Sequence, residues 1–134
     1  MMVSDELGRV FAFGGYGRSD AGEWTNMREV WRLDDEQWVE AGRLPKPLAE
    51  TTGVWVDGRI HLITGRSPKA EANGNWQDQG DVDWHWSWSP ADGSWQEMKP
   101  CPMARNSAAA AVLDGMIYVA GGRTVSGGGT GRLD

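Results

Sequence analysis

The chain has 134 residues, a formal net charge of −6 and a hydrophobic fraction of 40%, enough apolar content for one packed domain and too much for wholesale disorder. A sequence pI near 4.8 argues against a nucleic-acid surface, which needs clustered Lys and Arg. No apolar run approaches the roughly 20 residues of a membrane-spanning helix.

The opening MMVSDELGR lacks the basic and apolar regions of a secretory signal, so the default expectation for the compartment is cytoplasmic. Residues 1–6 read as a stunted strand. LGRVFAFGG (7–15) is an apolar strand that breaks on two glycines. The following GGYGRSD does not match G-x-G-x-x-G and no long helix follows, so these glycines are turn residues rather than a phosphate cradle. A loop with Arg18 and Trp24 leads to a strand around Trp31 and another around Trp38. TTGVWV (51–56) then alternates toward Asp57-Gly58, a dipeptide suited to a type I′ hairpin turn. RIHLIT (59–64) returns and is expected to stop at Gly65, before a long loop, RSPKAEANGNWQDQGDVD (66–83), that contains Trp76.

WHWSWS (84–89) alternates aromatic and polar residues, which predicts Trp84, Trp86 and Trp88 on one strand face and His85 and Ser87 on the other. SPADG turns, SWQEM (94–98) forms the next strand, and KPCP ends the unit. NSAAAAVL (106–113) has helical propensity, but it aligns with TTGVWV and is read as a strand. DGMIYVAGG (114–122) pairs back, and the glycine-rich tail RTVSGGGTGRLD (123–134), with Leu133, is expected to be mobile and to supply no strand.

The same unit recurs three times. LGRVFAFGG, DGRIHLITG and DGMIYVAGG align without gaps, and their leading glycines Gly8, Gly58 and Gly115 lie 50 and 57 residues apart. Trp31 and Trp88, Trp38 and Trp95, and Pro45 and Pro102 keep the 57-residue spacing. A glycine pair after an apolar strand, then an aromatic followed seven residues later by Trp, then Pro and the next strand, resembles the kelch repeat. Departures are Thr64 in place of the first glycine of the pair, and Leu48 where the third unit has Arg105. The resemblance implies an all-β fold, a partial kelch-type β-propeller built from four-stranded antiparallel blades. The whole chain, 1–134, is then one kelch-repeat region: blade 1 about 1–48, blade 2 about 49–103 and an incomplete blade 3 about 104–134. With strands labelled A to D from channel to rim, that is roughly two and a half blades, and its uncovered faces predict self-association or packing against further blades.

Antiparallel order puts the A–B and C–D turns at one edge of each blade and the B–C and D–A connections at the other. Gly15 to Trp31 is 16 residues and Gly65 to Trp88 is 23, so length variation falls in the B–C loop, where function is usually mounted. That edge carries the candidate ligand-binding residues Arg18, Trp24, Arg66, Trp76, Arg105, Asn106 and Arg123. Arginines there suit a carboxylate, an anionic sugar or an acidic peptide, because guanidinium forks match carboxylates. The expected role is an interaction module for a protein or glycan, without cofactor or metal. The alternative, implied by the resemblance to bacterial kelch propellers that act as sialic-acid mutarotases, is an enzyme or enzyme fragment acting on an acidic sugar. No catalytic residue is assigned.

The remaining chemistry-bearing residues have structural readings. Trp31, Trp38, Trp88 and Trp95 are read as core. His61 and Tyr118 share a strand slot with Phe11, which speaks against a copper site of the galactose-oxidase kind. His85 is placed toward solvent, and no histidine pair has metal-ligand spacing. Asp78, Asp81 and Asp83 lack a calcium-loop frame, and Cys101 lies between two prolines as an inert thiol.

Overall fold

A computed structural model describes residues 1–70, 73–126 and 129–132. The chain runs through β1 (Met2–Ser4), β2 (Val10–Phe13), β3 (Tyr16–Arg18), β4 (Trp24–Asn26), β5 (Glu29–Asp34), β6 (Gln37–Arg43) and β7 (Thr52–Val56). It continues through β8 (Arg59–Pro68), β9 (Gln79–Trp88), β10 (Trp95–Glu97), β11 (Ala109–Leu113), β12 (Met116–Ala120), β13 (Arg123–Ser126) and β14 (Gly129–Arg132). Among the described residues the one helical element is a single 3-10 turn, Trp76–Asp78.

β1, β2, β5 and β6 form the first four-stranded antiparallel blade, and β7 to β10 the second. β11 and β12 pair as the inner half of a third. Asp57-Gly58 and Asp114-Gly115 turn these inner hairpins with positive φ at both positions, as a type I′ turn requires. The alanine run over 109–111 is strand, because cross-strand pairing with 118–120 outweighs its helical propensity.

Two expectations are corrected. β8 does not stop at Gly65; the register shifts between Ile63 and Gly65, where Asp83 and Trp84 of β9 stand against Thr64 alone, and β8 runs on to Pro68, paired with β9 from Gln79. The segment 66–83 therefore begins and ends as a raised two-stranded arm, because the extra residue of β9 opposite Thr64 re-aims the strands without ending them. The tail likewise supplies strands: β13 pairs with β14, in the place that the separate hairpin β3–β4 takes after the first glycine pair. Glycine weakens a strand interior but does not forbid it once a partner strand is adjacent. Leu133 lies outside the described residues.

The core fills the space between the first two blades: Phe11, Phe13, Val30, Leu44, Leu48, Ile60, Leu62, Trp86 and Trp88. Trp88 meets the edges of Phe11 and Phe13 at centroid distances of 5.4 and 5.6 Å, and Trp84 stacks on Trp86 at 4.8 Å. The period-2 expectation for β9 holds. The three tryptophans face the first blade, whereas His85 and Ser87 face the other way, toward His61 and Arg59.

Trp31 and Trp38 depart from the core reading; Trp31 is half-buried and neither joins the core. Trp38 is 45% exposed, and with Trp31 and Ala12 it lines an open hollow on the far face of the first blade. Its counterpart Trp95 is covered by Phe13 of the adjacent blade, and no described residue covers Trp38 in the same way.

Candidate functional site

The repeat itself builds the first group of polar residues. Glu50 and Ser107 lie 57 residues apart, each at positive φ just before an inner strand. Arg66 and Arg123, also 57 apart, each follow a glycine turn. The backbone bridges Ala49 to Arg66 and Asn106 to Arg123, which brings these positions together at the B–C and D–A edge. Arg66 Nη1 and Arg123 Nη2 each lie 3.4 Å from a Glu50 carboxylate oxygen, and Ser107 Oγ donates to Glu50 Oε2 at 3.1 Å. Arg123 Nη2 also donates to Ser107 Oγ at 3.1 Å, and Asn106 Nδ2 to Asp81 Oδ1 at 2.7 Å.

The Arg66 side chain is fully buried while that of Arg123 is 43% exposed, so the first guanidinium anchors Glu50 and the second reaches solvent. Tyr16 stands near enough to feel both charges. Burial raises its phenol above the ordinary value, Arg66 pulls it down and Glu50 pushes it up. The arrangement offers a carboxylate and a half-exposed cation side by side, which suits an anionic or hydroxyl-rich ligand.

Arg105 does not join this group. Its Nη1 donates to the Gly121 carbonyl at 2.8 Å, and it lines a cavity of about 350 Å³ with His85, Cys101, Ile117 and Val119. That cavity follows the seam between the second blade and β12.

Arg18 and Trp24 form a second group on the β3–β4 hairpin. The guanidinium lies over the indole at 4.7 Å, and Arg18 Nη1 donates to the Gly22 carbonyl at 2.6 Å. The raised arm of the second blade stands opposite and is tied to the hairpin. Asn26 Nδ2 donates to Gln79 Oε1 at 2.8 Å, and the Asn26 amide donates to Asn73 Oδ1 at 2.9 Å. A Cβ on Gly74 would collide with the Trp24 carbonyl, so glycine is what allows the arm to approach this closely. Between hairpin and arm is a cleft of about 520 Å³ whose walls include Arg18, Glu23, Trp24, Asn73 and Asp78, with Trp24 56% exposed. Trp76 begins the 3-10 turn on this arm; its side chain is outside the described residues.

The sequence reading missed Glu50, Ser107, Asn26, Asn73 and Gln79. For Glu50 and Ser107 the 57-residue spacing was the available signal; for the buried amides there was none.

A third grouping gives His85, which stays half-exposed, a partner that its placement toward solvent did not include. His61 Nδ1 and His85 Nε2 are 2.8 Å apart, and His85 Nδ1 lies 3.2 Å from the Lys99 carbonyl. A carbonyl only accepts, so His85 donates from Nδ1, and its Nε2 accepts the proton carried on His61 Nδ1. Among the described residues no three His, Cys, Asp or Glu side chains gather as a metal site.

Burial pushes both imidazoles below the ordinary histidine value. For His61 the neighbouring His85 and Arg59 add to the effect and Asp57 opposes it, while for His85 the Lys99 carbonyl opposes it. Depressed folded-state values mean that stability is complete above about pH 6.5, the unfolded histidine value, and declines as pH falls below it. Thermal melts should therefore drop between pH 7.5 and pH 5.5, in a His85→Gln chain less than in the unsubstituted one. Equal drops in the two chains would show that other groups set the dependence.

No protein-family model matches the chain. It is 31% identical over 98 residues to kelch repeat and BTB domain-containing protein 12 of Danio rerio, covering 73% of this chain and 16% of that protein. It is 27% identical to beta-scruin of Limulus polyphemus over 96% of this chain and 13% of that protein. It is 29% identical to kelch-like protein terF of Aspergillus terreus over 90% of this chain and 26% of that protein. The chain thus spans about a quarter or less of the length of these curated relatives. The solved structure of YjhT superposes with a TM-score of 0.67 at 18% identity, over 92% of this chain and 34% of that one, which is a likeness of fold. With three aligned repeats, four-stranded antiparallel blades and kelch-repeat relatives along most of its length, the chain belongs to the kelch-repeat family.

Proposed function

We propose that the chain is a recognition module that holds its B–C and D–A connections out to a protein or glycan ligand. The observation that supports this best is the cleft between the β3–β4 hairpin and the raised arm, with Trp24 exposed beside Arg18, Asn73 and Asp78. An exposed aromatic ringed by polar side chains on a packed scaffold is the usual make-up of a binding hot spot. The test is binding to glycan and peptide arrays, followed by titration of the best ligand. Arg18→Ala with Trp24→Ala should weaken it about tenfold or more with the melt unchanged. Binding undiminished in the double variant would defeat the reading.

Glu50, held between Arg66 and Arg123, favours a second reading, an enzyme or enzyme fragment acting on an acidic sugar. Sialic-acid mutarotation by this chain, lost in Arg123→Ala, would replace the module reading. Self-association or packing against further blades accords with Trp38 exposed on one blade face and Met116 and Tyr118 on β12, and light scattering at micromolar concentration checks it.

A further inference from the structure

The raised arm has a second side, and there the residues differ in charge from those of the cleft. Asn73 borders both hollows. Beyond it lies a groove of about 520 Å³ whose walls include Lys46, Pro47, Pro68, Lys69, Asn73 and Trp84. It is formed where the D–A connection of the first blade meets the end of β8, and Ser67 Oγ ties the two walls by donating to the Pro47 carbonyl at 2.8 Å.

Charge distinguishes this groove from the cleft, whose walls include Glu23 and Asp78. The chain carries a formal charge of −6, yet the described lining residues of the groove include two lysines and no carboxylate. The lysines come from different blades, and among the described residues neither forms an ion pair; Lys69 Nζ donates to the Gln77 carbonyl at 3.4 Å. Lys69 is also held in place. Its aliphatic stem lies against Gly80, where a Cβ would come within 3.2 to 3.3 Å of Cγ and Cε. Lys46 puts its ammonium over Trp84 at 5.0 Å, and the same indole is stacked on Trp86. A ligand anion that draws Lys46 aside frees the part of the Trp84 ring that the ammonium covers, and exchanges one cation–π contact for an ion pair and a ring contact.

The walls also limit what can enter. Pro47 and Pro68 have no backbone N–H, and the groove ends a paired strand rather than running along a free edge, so an extended peptide would find little main-chain pairing there. A compact body with a hydrophobic ring face and an anionic substituent finds an indole and two ammonium groups.

We propose that this groove is a subsite for an acidic saccharide, a uronic-acid or sulfated disaccharide whose anion pairs with Lys46 and Lys69 and whose ring packs on Trp84. The proposal rests on the reading of the chain as a recognition module and adds a second subsite to it, across Asn73 from the cleft.

The experiment titrates the full chain with a sulfated chondroitin disaccharide, following tryptophan fluorescence and calorimetry. Lys46→Glu with Lys69→Glu changes only exposed side chains, so the fold should persist, and a matching melt confirms that. The expected result is saturable binding, weakened about tenfold or more in this double variant and at least about tenfold weaker for uncharged lactose. Met103→Ala, an exposed change away from both hollows, should leave it within about twofold, and the cleft is tested separately against its own array ligand, so the subsite and the cleft fail independently. Absence of saturable binding at millimolar disaccharide would overturn the proposal, as would equal binding by the lysine variant. Equal affinity for a hexaglutamate peptide would overturn the saccharide assignment in favour of bare charge recognition.

Discussion

Trp88→Ala should cost about 3–5 kcal/mol of folding stability, the range for truncating a large buried aromatic. Trp88 is 2% exposed and is the hub of the contact between the first two blades. It takes the edges of Phe11 and Phe13 on one blade and leans on Trp95 of its own, at a centroid distance of 6.1 Å. Nothing nearby is free to collapse into the space, because Val30, Ile60 and Leu62 are already packed and held by strand pairing, and Leu44 is packed and tied by its N–H to the Arg28 carbonyl. Total stability of a domain this size is only about 5–15 kcal/mol, so the loss should appear as a large shift in the urea midpoint. Trp24→Ala, at an exposed site, should move the midpoint little. A Trp88→Ala midpoint close to that of the unsubstituted chain would mean that the blades are not held together by this contact.

The interface was legible because it repeats. Trp88 and Trp95 stand 57 residues after Trp31 and Trp38, and the alternation in WHWSWS assigns a face without any coordinates. What the repeat does not carry is whether a neighbouring surface is there. Trp31 and Trp38 have the same local sequence character as their counterparts, yet Trp38 is exposed because no described blade lies against it. Burial is a property of the partner surface, and local pattern is silent about that.

The same distinction explains the site. Arg66 and Arg123 could be paired by spacing alone, but Glu50 looks like any acidic residue in a surface connection until strand pairing brings both arginines to it. The histidine pair needs register. His61 is opposite Ser87 and His85 is opposite Ile63, so the two imidazoles are diagonal neighbours on one face. Sequence separation of 24 residues across a connection of unknown path gives no such register. The raised arm was missed for a related reason, since a glycine after an apolar strand reads alike as a stop or as a bulge.

That last ambiguity has a measurable counterpart at Thr64-Gly65. Gly65 has φ of +127°, and a Cβ there would lie 2.7 Å from the Ala49 carbonyl oxygen and 3.2 Å from the Thr51 Cα. Both obstacles are backbone, fixed by the bridge between Ala49 and Arg66. Gly65→Ala therefore combines strain at positive φ with a main-chain collision, and should cost about 2–4 kcal/mol. It should also loosen the arm, because Gly65 is where β8 resumes pairing with β9 at Val82.

The neighbouring residue should behave differently. Thr64 adopts φ of +58°, where the equivalent Gly14 and Gly121 have +49° and +66°, and its buried Oγ1 has no hydrogen-bond partner among the described residues. Thr64→Gly removes left-handed strain and an unsatisfied hydroxyl but gives up a packed methyl group and adds unfolded-chain entropy. The balance should fall within about 1 kcal/mol of the unsubstituted chain. Denaturation of the two variants side by side checks the pair. Amide exchange along β8 and β9 should then show protection lost beyond Gly65 in the alanine variant and kept from Arg59 to Ile63. A Gly65→Ala chain as stable as Thr64→Gly would mean that the bulge yields easily and that the arm does not depend on glycine at this position.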